Sequence, residues 1–461
     1  MREEEFVFDK GFTTGLRKEE NNPLNQQALV TLENARVTPA GLLPYEDAVL
    51  PYNWLVYDSN PAHPTPLDVV VDWPFPQWFH AGTDPVLAHR YTMDTINANG
   101  TFNNQVVFGH GVVSDDLWTM ADFHLFKVMA KDGTFIEFRD TVAANWKFHQ
   151  PHASIPYCNS IMNLNGQLVA GGLANWGNWT DVTTNYIAWG KIGEAKFALD
   201  RMNESGYRRM DWIGSVLTVK QLGNMAVVYG DNGMSVIKPV ASPAATFGLK
   251  NLLSIGLRAK GAVAGDEHQH CFVGSDNYLY RITADLKLEK LGYQEYMEGL
   301  DDNLIMSFNS GRQEFHISDE TTCYLMSPYG LSSVHQRPTS LFYNAGTLEG
   351  VFLDGVDPEF NMLTDRIDLG VRGRKTIQSI ELGCQGTGTF SVAVDYRDDS
   401  SAAFGQTDFV EVNNHKQVHL PISGTEFRVA VKCTEYEDTQ LSYVKVKFKY
   451  DDLRNTRGER R

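Results

Sequence analysis

The sequence has few cysteines, and their arrangement excludes two kinds of stabilised fold. Five cysteines occur in 461 residues, an odd number at wide spacing, whereas a disulfide framework or a structural zinc site needs cysteines paired at short spacing. They are Cys158, Cys271, Cys323, Cys384 and Cys433. Most lie in apolar runs typical of strands, so we expect small, buried hydrophobic side chains.

Long hydrophobic runs are also missing. Nowhere do about 18 consecutive apolar residues occur, as a membrane-spanning helix requires. The first residues, MREEEFVFDK, include acidic side chains where a secretion signal has a basic region followed by an apolar one. The sequence therefore predicts a protein that is made and folded in the cytoplasm, with no membrane partner.

Positive charge is scarce as well. Lys and Arg together number 40 against 57 Asp and Glu, which gives a formal net charge of −17. Tight binding to nucleic acid needs a basic surface that displaces counterions from the phosphates. An acidic surface instead repels DNA, which is useful where DNA must slide past without adhering.

Familiar catalytic signatures are absent: there is no Walker loop, G-x-S-x-G elbow, H-E-x-x-H or paired C-x-x-C motif. In residues 266–271 (DEHQHC), His268 and His270 would share one face of a strand and could bind a metal. The position before a hairpin favours a solvated turn. We interpret His149 and His152 as loop residues in the same way. We therefore assign no catalytic, cofactor-binding or metal residue, and predict a protein that is not an enzyme and has no cofactor.

The dominant pattern is an apolar run of five to eight residues, a turn rich in Gly, Asp and Asn, and a second such run, which is typical of β-hairpins. Helical periodicity is limited to residues 190–203 and, more weakly, residues 116–123. Four similar hairpins have their turns at residues 131–133, 230–233, 274–277 and 318–320. The chain is therefore predicted to be all-β.

The spacing of these hairpins indicates a repeat. Asp231, Asp276 and Asp319 recur at roughly the 40 to 45 residues that one four-stranded blade of a β-propeller occupies. Asp132 comes two blades and an insertion earlier, and residues 161–172 supply the hairpin between. Asp, Asn and Gly suit such turns because they tolerate positive φ. A sandwich or mixed β fold has similar turns and stays open as an alternative.

The flanking regions differ from the repeats. Residues 1–50 are polar and irregular and are predicted to form an extended N-terminal arm, followed by the propeller over residues 51–356. Residues 357–450 alternate in period two and predict an antiparallel β-sandwich. Its six strands are expected at residues 376–382, 389–396, 409–412, 417–420, 426–432 and 441–450. Residues 451–461 are predicted to be a flexible basic tail.

Several segments resemble a known family. The residues are 11–15 (GFTTG), 27–37 (QALVTLENARV), 41–45 (GLLPY) and the hairpin at residues 223–237. They resemble the start and the blades of tail proteins from short-tailed bacteriophages. The order of arm, propeller and sandwich is similar to that of tail nozzle and packaged-DNA stabilisation proteins. The Arg-Pro-Gly usual after the arm is replaced here by Pro44, Tyr45 and Glu46.

This resemblance implies a structural virion protein. Members of that family form a homo-oligomeric ring, typically a hexamer, below the portal and adaptor and beside tail fibre or needle proteins. The ring encloses the DNA exit channel, retains packaged DNA and lets double-stranded DNA pass during ejection without sequence-specific binding. We expect the same location, the phage tail, for this chain. We also expect that removing residues 1–45 leaves a folded propeller and weakens ring assembly.

Two other functions remain open. Aromatic side chains in residues 73–79 and 175–179 would suit sugar stacking by a carbohydrate-binding module at the host surface, although the same side chains suit a subunit interface, which we favour. A glycan-degrading propeller would need a pair of carboxylates. The sialidase Asp box is missing, because residues 275–279 lack its Gly and Trp.

Overall fold

The fold was analysed in a computed structural model. The structure describes residues 3–17, 27–45, 77–81, 84–88, 92–96, 102–107, 117–123, 126–131, 134–140, 146–149, 158–174, 182–194, 197, 204–240, 246–344, 347–352, 359–369, 373–434 and 439–450. Nearly all regular structure in these ranges is β. A 3-10 turn at Lys10–Thr13 and one short helix, α1 at Gln294–Met297, are the exceptions among the described residues.

Four strands come first along the chain. They are β1 Glu3–Phe8, β2 Leu29–Glu33, β3 Ala35–Thr38 and β4 Gly41–Pro44.

Seven antiparallel sheets, named blades I to VII, follow between residues 77 and 352. Blade I contains β5 Gln77–Ala81, β6 Asp84–Ala88, β7 Thr92–Ile96 and β8 Phe102–Val107; blade II contains β9 Thr119–Asp122, β10 Phe126–Lys131, β11 Thr134–Asp140 and β12 Trp146–His149. Blade III contains β13 Cys158–Leu164, β14 Gln167–Leu173, β15 Tyr186–Trp189 and β16 Gly206–Arg209; blade IV contains β17 Val216–Leu222, β18 Met225–Gly230, β19 Met234–Pro239 and β20 Phe247–Leu253. Blade V contains β21 Val263–Gly265, β22 Gln269–Val273, β23 Leu279–Thr283 and β24 Leu288–Gly292; blade VI contains β25 Ile305–Asn309, β26 Glu314–Ser318, β27 Cys323–Met326 and β28 Leu331–Ser333. Blade VII is the hairpin of β29 Pro338–Asn344 and β30 Thr347–Phe352.

The blades form a ring around a central cavity. The first strands of neighbouring blades contact one another, β9 with β13, β13 with β17, β21 with β25, β25 with β29, and β29 with β5. Residues from the first strands of all seven blades line the same cavity. A ring of antiparallel sheets with their first strands on the axis, here six four-stranded blades and one two-stranded hairpin, is a β-propeller. The predicted fold class is confirmed.

The predicted hairpins coincide with observed strand pairs, namely β10 with β11, β13 with β14, β18 with β19, β22 with β23, and β26 with β27. The expected reason for the turn aspartates was wrong. Positive φ occurs at Asn165 and Asn277, whereas Asp231 and Asp319 accept backbone hydrogen bonds through their carboxylates. Asp132 lies outside the described residues.

The two helical predictions were wrong where the structure describes them. Residues 119–122 form β9, whose Ala121 is fully buried and whose backbone pairs with β10. In residues 190–203, the described part contains a turn closed by a hydrogen bond from the Glu194 N–H to the Lys191 carbonyl. Pairing within a blade therefore overrides the weak local helical period of residues 116–123.

The C-terminal strands form a two-sheet sandwich. They are β31 Phe360–Thr364, β32 Lys375–Gln385, β33 Thr389–Arg397, β34 Gly405–Gln406, β35 Val410–Glu411, β36 Gln417–Val418, β37 Ile422–Gly424, β38 Glu426–Thr434 and β39 Gln440–Tyr450. Each of the six predicted strands overlaps an observed one. One sheet has the order β3-β4-β39-β32-β36, with β1 on β39 and β37 on β32. The other contains β31, β38, β33, β34 and β35.

The N-terminal segment is extended, as expected, but its strands belong to the sandwich and do not form a separate arm. Strand β1 pairs with β39 from Glu3 opposite Lys449 to Phe8 opposite Val444. Leu42 of β4 pairs with Leu441 of the same strand. The side chains of Phe8, Phe12, Leu32 and Val37 are buried in one core with the C-terminal strands. Burial of these apolar side chains fixes the segment in place.

The sandwich and the propeller share one sheet. Strand β2 lies between β31 of the sandwich and β28 of blade VI, which gives a ten-stranded sheet: nine strands follow one another from β25 to β34, and β35 pairs with β33. Glu33 pairs in parallel with Ser333 at this junction. Asn34, with a φ of 55°, donates to the Glu359 carbonyl at 2.8 Å and accepts from the His335 N–H at 2.9 Å. The predicted limits at residues 50 and 356, and the tail at residues 451–461, lie outside the described residues.

Candidate functional site

A cavity with a volume of about 680 Å³ lies at the centre of the propeller. A volume in this range is typical of sites for small molecules. The first strands of the blades form its wall because each blade presents its innermost edge to the axis. The cavity is therefore the candidate functional site.

Polar contacts around the cavity join neighbouring blades. They are the Trp118 N–H to Gln77 Oε1 (2.6 Å), the Ile161 N–H to Thr119 Oγ1 (3.0 Å), the Val219 N–H to Ser160 Oγ (3.1 Å), His270 Nε2 to the Gln221 carbonyl (2.7 Å) and the Met306 N–H to the Gly261 carbonyl (2.8 Å). Four of the five use a backbone group of β13, β17 or β25, and the Trp118 N–H lies just before β9. Most wall polar groups therefore have a structural role.

Lys220 differs from these groups. It lies on β17 and lines the cavity, and its side chain has no hydrogen bond or ion pair within the described part of the chain. Burial lowers the pKa of this lysine because it disfavours the charged form. The charge of Lys220 also acts on His270, where it adds to the effect of burial in lowering the pKa.

Two further lysines, Lys260 before β21 and Lys127 on β10, have partners. Lys260 Nζ donates to the Leu117 carbonyl at 2.9 Å. Lys127 is buried and forms an ion pair with Asp122. Of these three lysines, Lys220 is the one that lines the cavity, together with Asp122, Asp266 and Glu267.

The cluster at residues 266–271 is a turn followed by a strand, so the favoured interpretation is confirmed. Asp266 Oδ1 accepts the N–H groups of His268 and Gln269 at 2.9 and 3.0 Å. The His268 side chain is 77% exposed, whereas His270 is buried in β22, so the two imidazoles do not share a face. His149 ends β12, and its side chain, like His152, lies outside the described residues.

His270 is held neutral by its surroundings. Tyr229 Oη lies 2.8 Å from Nδ1, and Nε2 donates to the Gln221 carbonyl. Burial lowers its pKa to about 3. Within the described ranges, no group of three or more His, Cys, Asp or Glu side chains could hold a metal ion.

A second buried polar cluster lies at the junction of blade VI and the sandwich. Arg36 Nε is 2.6 Å from Glu314 Oε1, and both side chains are buried. Tyr45 Oη lies 2.9 Å from His316 Nε2 and donates to Gln336 Oε1 at 3.3 Å. Burial and the nearby Arg36 charge lower the pKa of His316 to about 3. Sequence reasoning missed this cluster because its members are separated by nearly 300 positions.

The cysteine prediction is confirmed for four side chains. Cys158, Cys271, Cys323 and Cys433 are buried, Cys384 is half-buried, and all five are free. Burial raises the pKa of Cys323 to about 12, which keeps the thiol protonated and unreactive.

The aromatic segments proposed for sugar stacking are largely outside the described residues. Of residues 73–79, the structure places the backbone of residues 77–79 in β5. Residues 175–179 are not among those described. In the described part of the chain, no helix is long and apolar enough to cross a membrane.

Comparison with known proteins supplies no family. No family model matches the sequence, and no curated protein matches it. Among solved structures, the chain is similar to virginiamycin B lyase from Staphylococcus aureus, with TM-score 0.38 and 10% identity over 62% of this chain and 90% of that one. It is also similar to the Pan2 WD40 domain of Neurospora crassa, with TM-score 0.36 and 6% identity over 62% and 84%.

A third similar structure is PorZ, a surface component of the type-IX secretion system of Porphyromonas gingivalis. Its TM-score is 0.37 at 9% identity, and the match covers 62% of this chain but only 36% of PorZ. Similar structures thus include an enzyme and proteins of other roles, and scores of this size carry no argument about function. The class defined by the ring of blades is an all-β protein with a propeller joined to a sandwich.

Proposed function

We propose that this chain is a structural protein of a short-tailed phage tail, one subunit of a ring that encloses the DNA exit channel. In this role the protein catalyses no reaction. It retains packaged DNA below the portal and adaptor, and lets the DNA pass during ejection.

The observation that carries this proposal is the place of the N-terminal motif. The residues that resemble phage tail proteins, 11–15, 27–37 and 41–45, lie at the joint between propeller and sandwich. Leu16 donates to the Leu331 carbonyl at 2.7 Å, and Gly15 approaches the same residue so closely that a Cβ there would lie 2.3 Å from its carbonyl oxygen. Because the fold requires glycine at this contact, the motif supports an architecture shared with the phage tail proteins that it resembles.

The joint also suits a subunit under mechanical load. A continuous ten-stranded sheet connects the axis of the propeller to the outer edge of the sandwich, so force on one part is transmitted through backbone hydrogen bonds. The net charge of −17, repeated around a ring, would repel DNA and keep it from adhering to the channel.

Cryo-EM of the virion tests the proposal. We expect density for several copies of the propeller and sandwich around the tail axis, below the portal, with DNA or an open channel at the centre. A single copy at a fibre tip, away from any axial channel, would refute it. The purified full-length chain and its cognate adaptor should in addition form a complex of ring mass in light scattering.

The carbohydrate-binding and glycan-degrading alternatives give different results. Specific glycan binding by the purified protein, together with a fibre-tip location, would favour the first. Turnover of capsule or lipopolysaccharide would favour the second. Neither activity is expected from a ring subunit.

A further inference from the structure

Blade IV has a basic surface although the chain as a whole has a net charge of −17. Residues 232–265 contain no Asp or Glu, and their basic residues are Lys238, Lys250, Arg258 and Lys260. Arg258 and Lys260 donate to backbone carbonyls of the chain. Lys238 and Lys250 are exposed and form no ion pair in the described part of the chain. Their positive charge therefore faces solvent.

The outer strand of blade III extends this surface, because β16 lies beside β20. Thr246 Oγ1, just before β20, donates to the Glu204 carbonyl at 2.9 Å. Asn251 Nδ2, within β20, donates to Asp211 Oδ2 at 3.3 Å. These contacts flank β16 on both sides, so the two outer strands form one continuous surface.

Strand β16 and the loop after it contribute both charge and apolar area. Arg208 and Arg209 are exposed and form no ion pair with a described residue. Tyr207 is 50% exposed and Ile213 is 83% exposed. The combined surface, named the basic rim, consists of Tyr207, Arg208, Arg209, Ile213, Lys238 and Lys250. Arginine and tyrosine are enriched at protein interfaces.

Ile213 is presented by a loop that its neighbours hold in place. The adjacent Trp212 donates from Nε1 to Ser235 Oγ at 2.9 Å. Gly230 lies so close to the same indole ring that no larger residue would fit there. Ile213 is therefore a preorganised apolar side chain, and such side chains serve as anchors at interfaces because binding costs little ordering.

Blades V and VI present the opposite charge. Residues 295–302 contain four acidic residues and no Lys or Arg; one of them, Asp302, pairs with Arg258. Asp319 Oδ2 accepts the Asp301 N–H at 3.0 Å, which brings the neighbouring Glu320 to the same surface. This surface, named the acidic patch, consists of the exposed residues Glu295, Glu298, Asp301 and Glu320. None of the four forms an ion pair in the described part of the chain.

We propose that the basic rim of one copy of this chain docks onto the acidic patch of a second copy. Two adjacent strands and a loop match the roughly 800 Å² that each partner contributes to a stable interface. Opposite charges fix the register of such a contact. Because it joins two different surfaces, the contact can repeat from copy to copy and close into a ring. The inference deepens the proposed function and rests on it only for that closure.

Light scattering of the full-length protein over a concentration series tests the contact. We expect a mass above that of one chain, rising with concentration. A protein that stays monomeric would overturn the docking proposal, whereas a fibre-tip location in the virion would refute the ring but not the contact. A monomer that binds double-stranded DNA through Arg208 and Arg209 would also overturn the proposal, since the basic rim would then serve another acidic partner.

Charge reversal locates the basic rim. Arg208→Glu combined with Arg209→Glu should weaken self-association at least about 10-fold, because attraction to the acidic patch becomes repulsion. Lys10→Glu combined with Lys287→Glu, at exposed lysines elsewhere, changes the net charge equally and should weaken it less than about 2-fold. Equal losses in the two variants would show that net charge alone controls association, which contradicts the proposal.

Mixing two variants tests the pairing of the surfaces. Glu295→Lys combined with Glu298→Lys should also prevent self-association. Mixed with the Arg208→Glu, Arg209→Glu protein, it should form a complex, because one protein retains an intact basic rim and the other an intact acidic patch. Two proteins that stay separate on mixing would refute the docking of these two surfaces.

An uncharged variant provides an independent readout. Ile213→Ser should weaken self-association about 5-fold, as loss of an apolar anchor does. Ile192→Ser is the matched control, because Ile192 is 54% exposed in the turn after β15, at the other end of β16. It should associate as the original protein does. Equal behaviour of the two variants would exclude Ile213 from the interface and count against the proposal.

Discussion

At the scale of single residues, several charged side chains form ion pairs with other residues of the same chain. The acidic start of the sequence is one example: Glu3 and Glu5 of β1 lie 2.9 and 3.6 Å from Lys449 and Lys447 on the paired strand. The Lys449 ammonium group holds the pKa of Glu3 below its usual value. These exposed pairs contribute little stability, and they select the register of β1 against β39.

Two buried histidines make the stability depend on pH. His270 and His316 have a pKa of about 3 in the folded protein, against about 6.5 when unfolded. Because the unfolded state binds the protons more readily, stability is complete above pH 6.5 and falls as the pH drops towards 3. In this pH window, each histidine should lower the free energy of unfolding by about 1.4 kcal/mol for each unit by which the pH falls.

Denaturant unfolding at several pH values between 7 and 4 measures this effect. In a plot of the free energy of unfolding against pH, His316→Gln should have a shallower slope than the original protein, by the contribution of one histidine. His268→Gln, at an exposed imidazole, is the matched control and should keep the original slope. A slope that is the same in all three proteins would contradict the assignment.

At the scale of elements, the hairpin turns of the blades are fixed by aspartate side chains. Asp319 Oδ1 accepts the N–H groups of Thr321 and Thr322 at 2.8 and 2.6 Å, and Oδ2 accepts that of Asp301 at 3.0 Å. Burial opposes the charge, but these hydrogen bonds hold the pKa of Asp319 below its usual value. The carboxylate thus closes its own turn and anchors the segment that leads into β25.

Asp319→Ala should therefore destabilise the protein by about 2 to 3 kcal/mol, since three backbone donors lose a charged acceptor. Chemical denaturation monitored by circular dichroism measures the change. Glu320→Ala, at the exposed neighbouring residue, should change the unfolding free energy by less than about 0.5 kcal/mol. Similar values for the two variants would show that the turn does not depend on the carboxylate.

The N-terminal strands give the second prediction at this scale. Leu32 is completely buried in the shared core, whereas Val7 is 44% exposed. Leu32→Ala should cost about 2 to 5 kcal/mol, and Val7→Ala less than about 0.5 kcal/mol. Removal of residues 1–45 should unfold the sandwich instead of merely weakening assembly, which hydrogen exchange on β32 and β38 would detect. Persistent protection there would show that the strands are dispensable.

Local patterns predicted much of the fold, and long-range pairing accounts for what they missed. The hairpins around Asp231 and Asp276 are formed by adjacent residues, so turn chemistry and period two identify them. The partners of β1 and β2 lie 300 or more positions away, and no local signal specifies them. Lys220 was missed for the same reason, since its setting is assembled from seven separate strands.

At the scale of the whole molecule, propeller and sandwich behave as one unit. The shared sheet and the buried cluster of Arg36, Glu314 and His316 both cross the joint. Opening the joint would expose the Arg36–Glu314 pair and the unpaired edge of β28 together. Separate unfolding of either part is therefore unfavourable.

We expect a single cooperative unfolding transition. Trp118, Trp189 and Trp212 lie in or beside blades II, III and IV, so their fluorescence reports on the propeller, while hydrogen exchange of β33 and β38 reports on the sandwich. The two transitions should coincide in the original protein. Asn34→Ala, which removes the contacts to Glu359 and His335, should separate them. Two transitions in the unaltered protein would contradict coupling.

The pairing of β1 with β39 has a consequence for biosynthesis. Strand β1 leaves the ribosome more than 400 residues before its partner. Phe8, Phe12 and Leu32 therefore lack the rest of their hydrophobic core until the whole propeller has been synthesised. The blades can form in order as they emerge, because each pairs with itself, but the sandwich cannot close until β39 is complete. Closure of the sandwich is therefore the last step of folding, and interrupted translation would leave exposed apolar strands prone to aggregation.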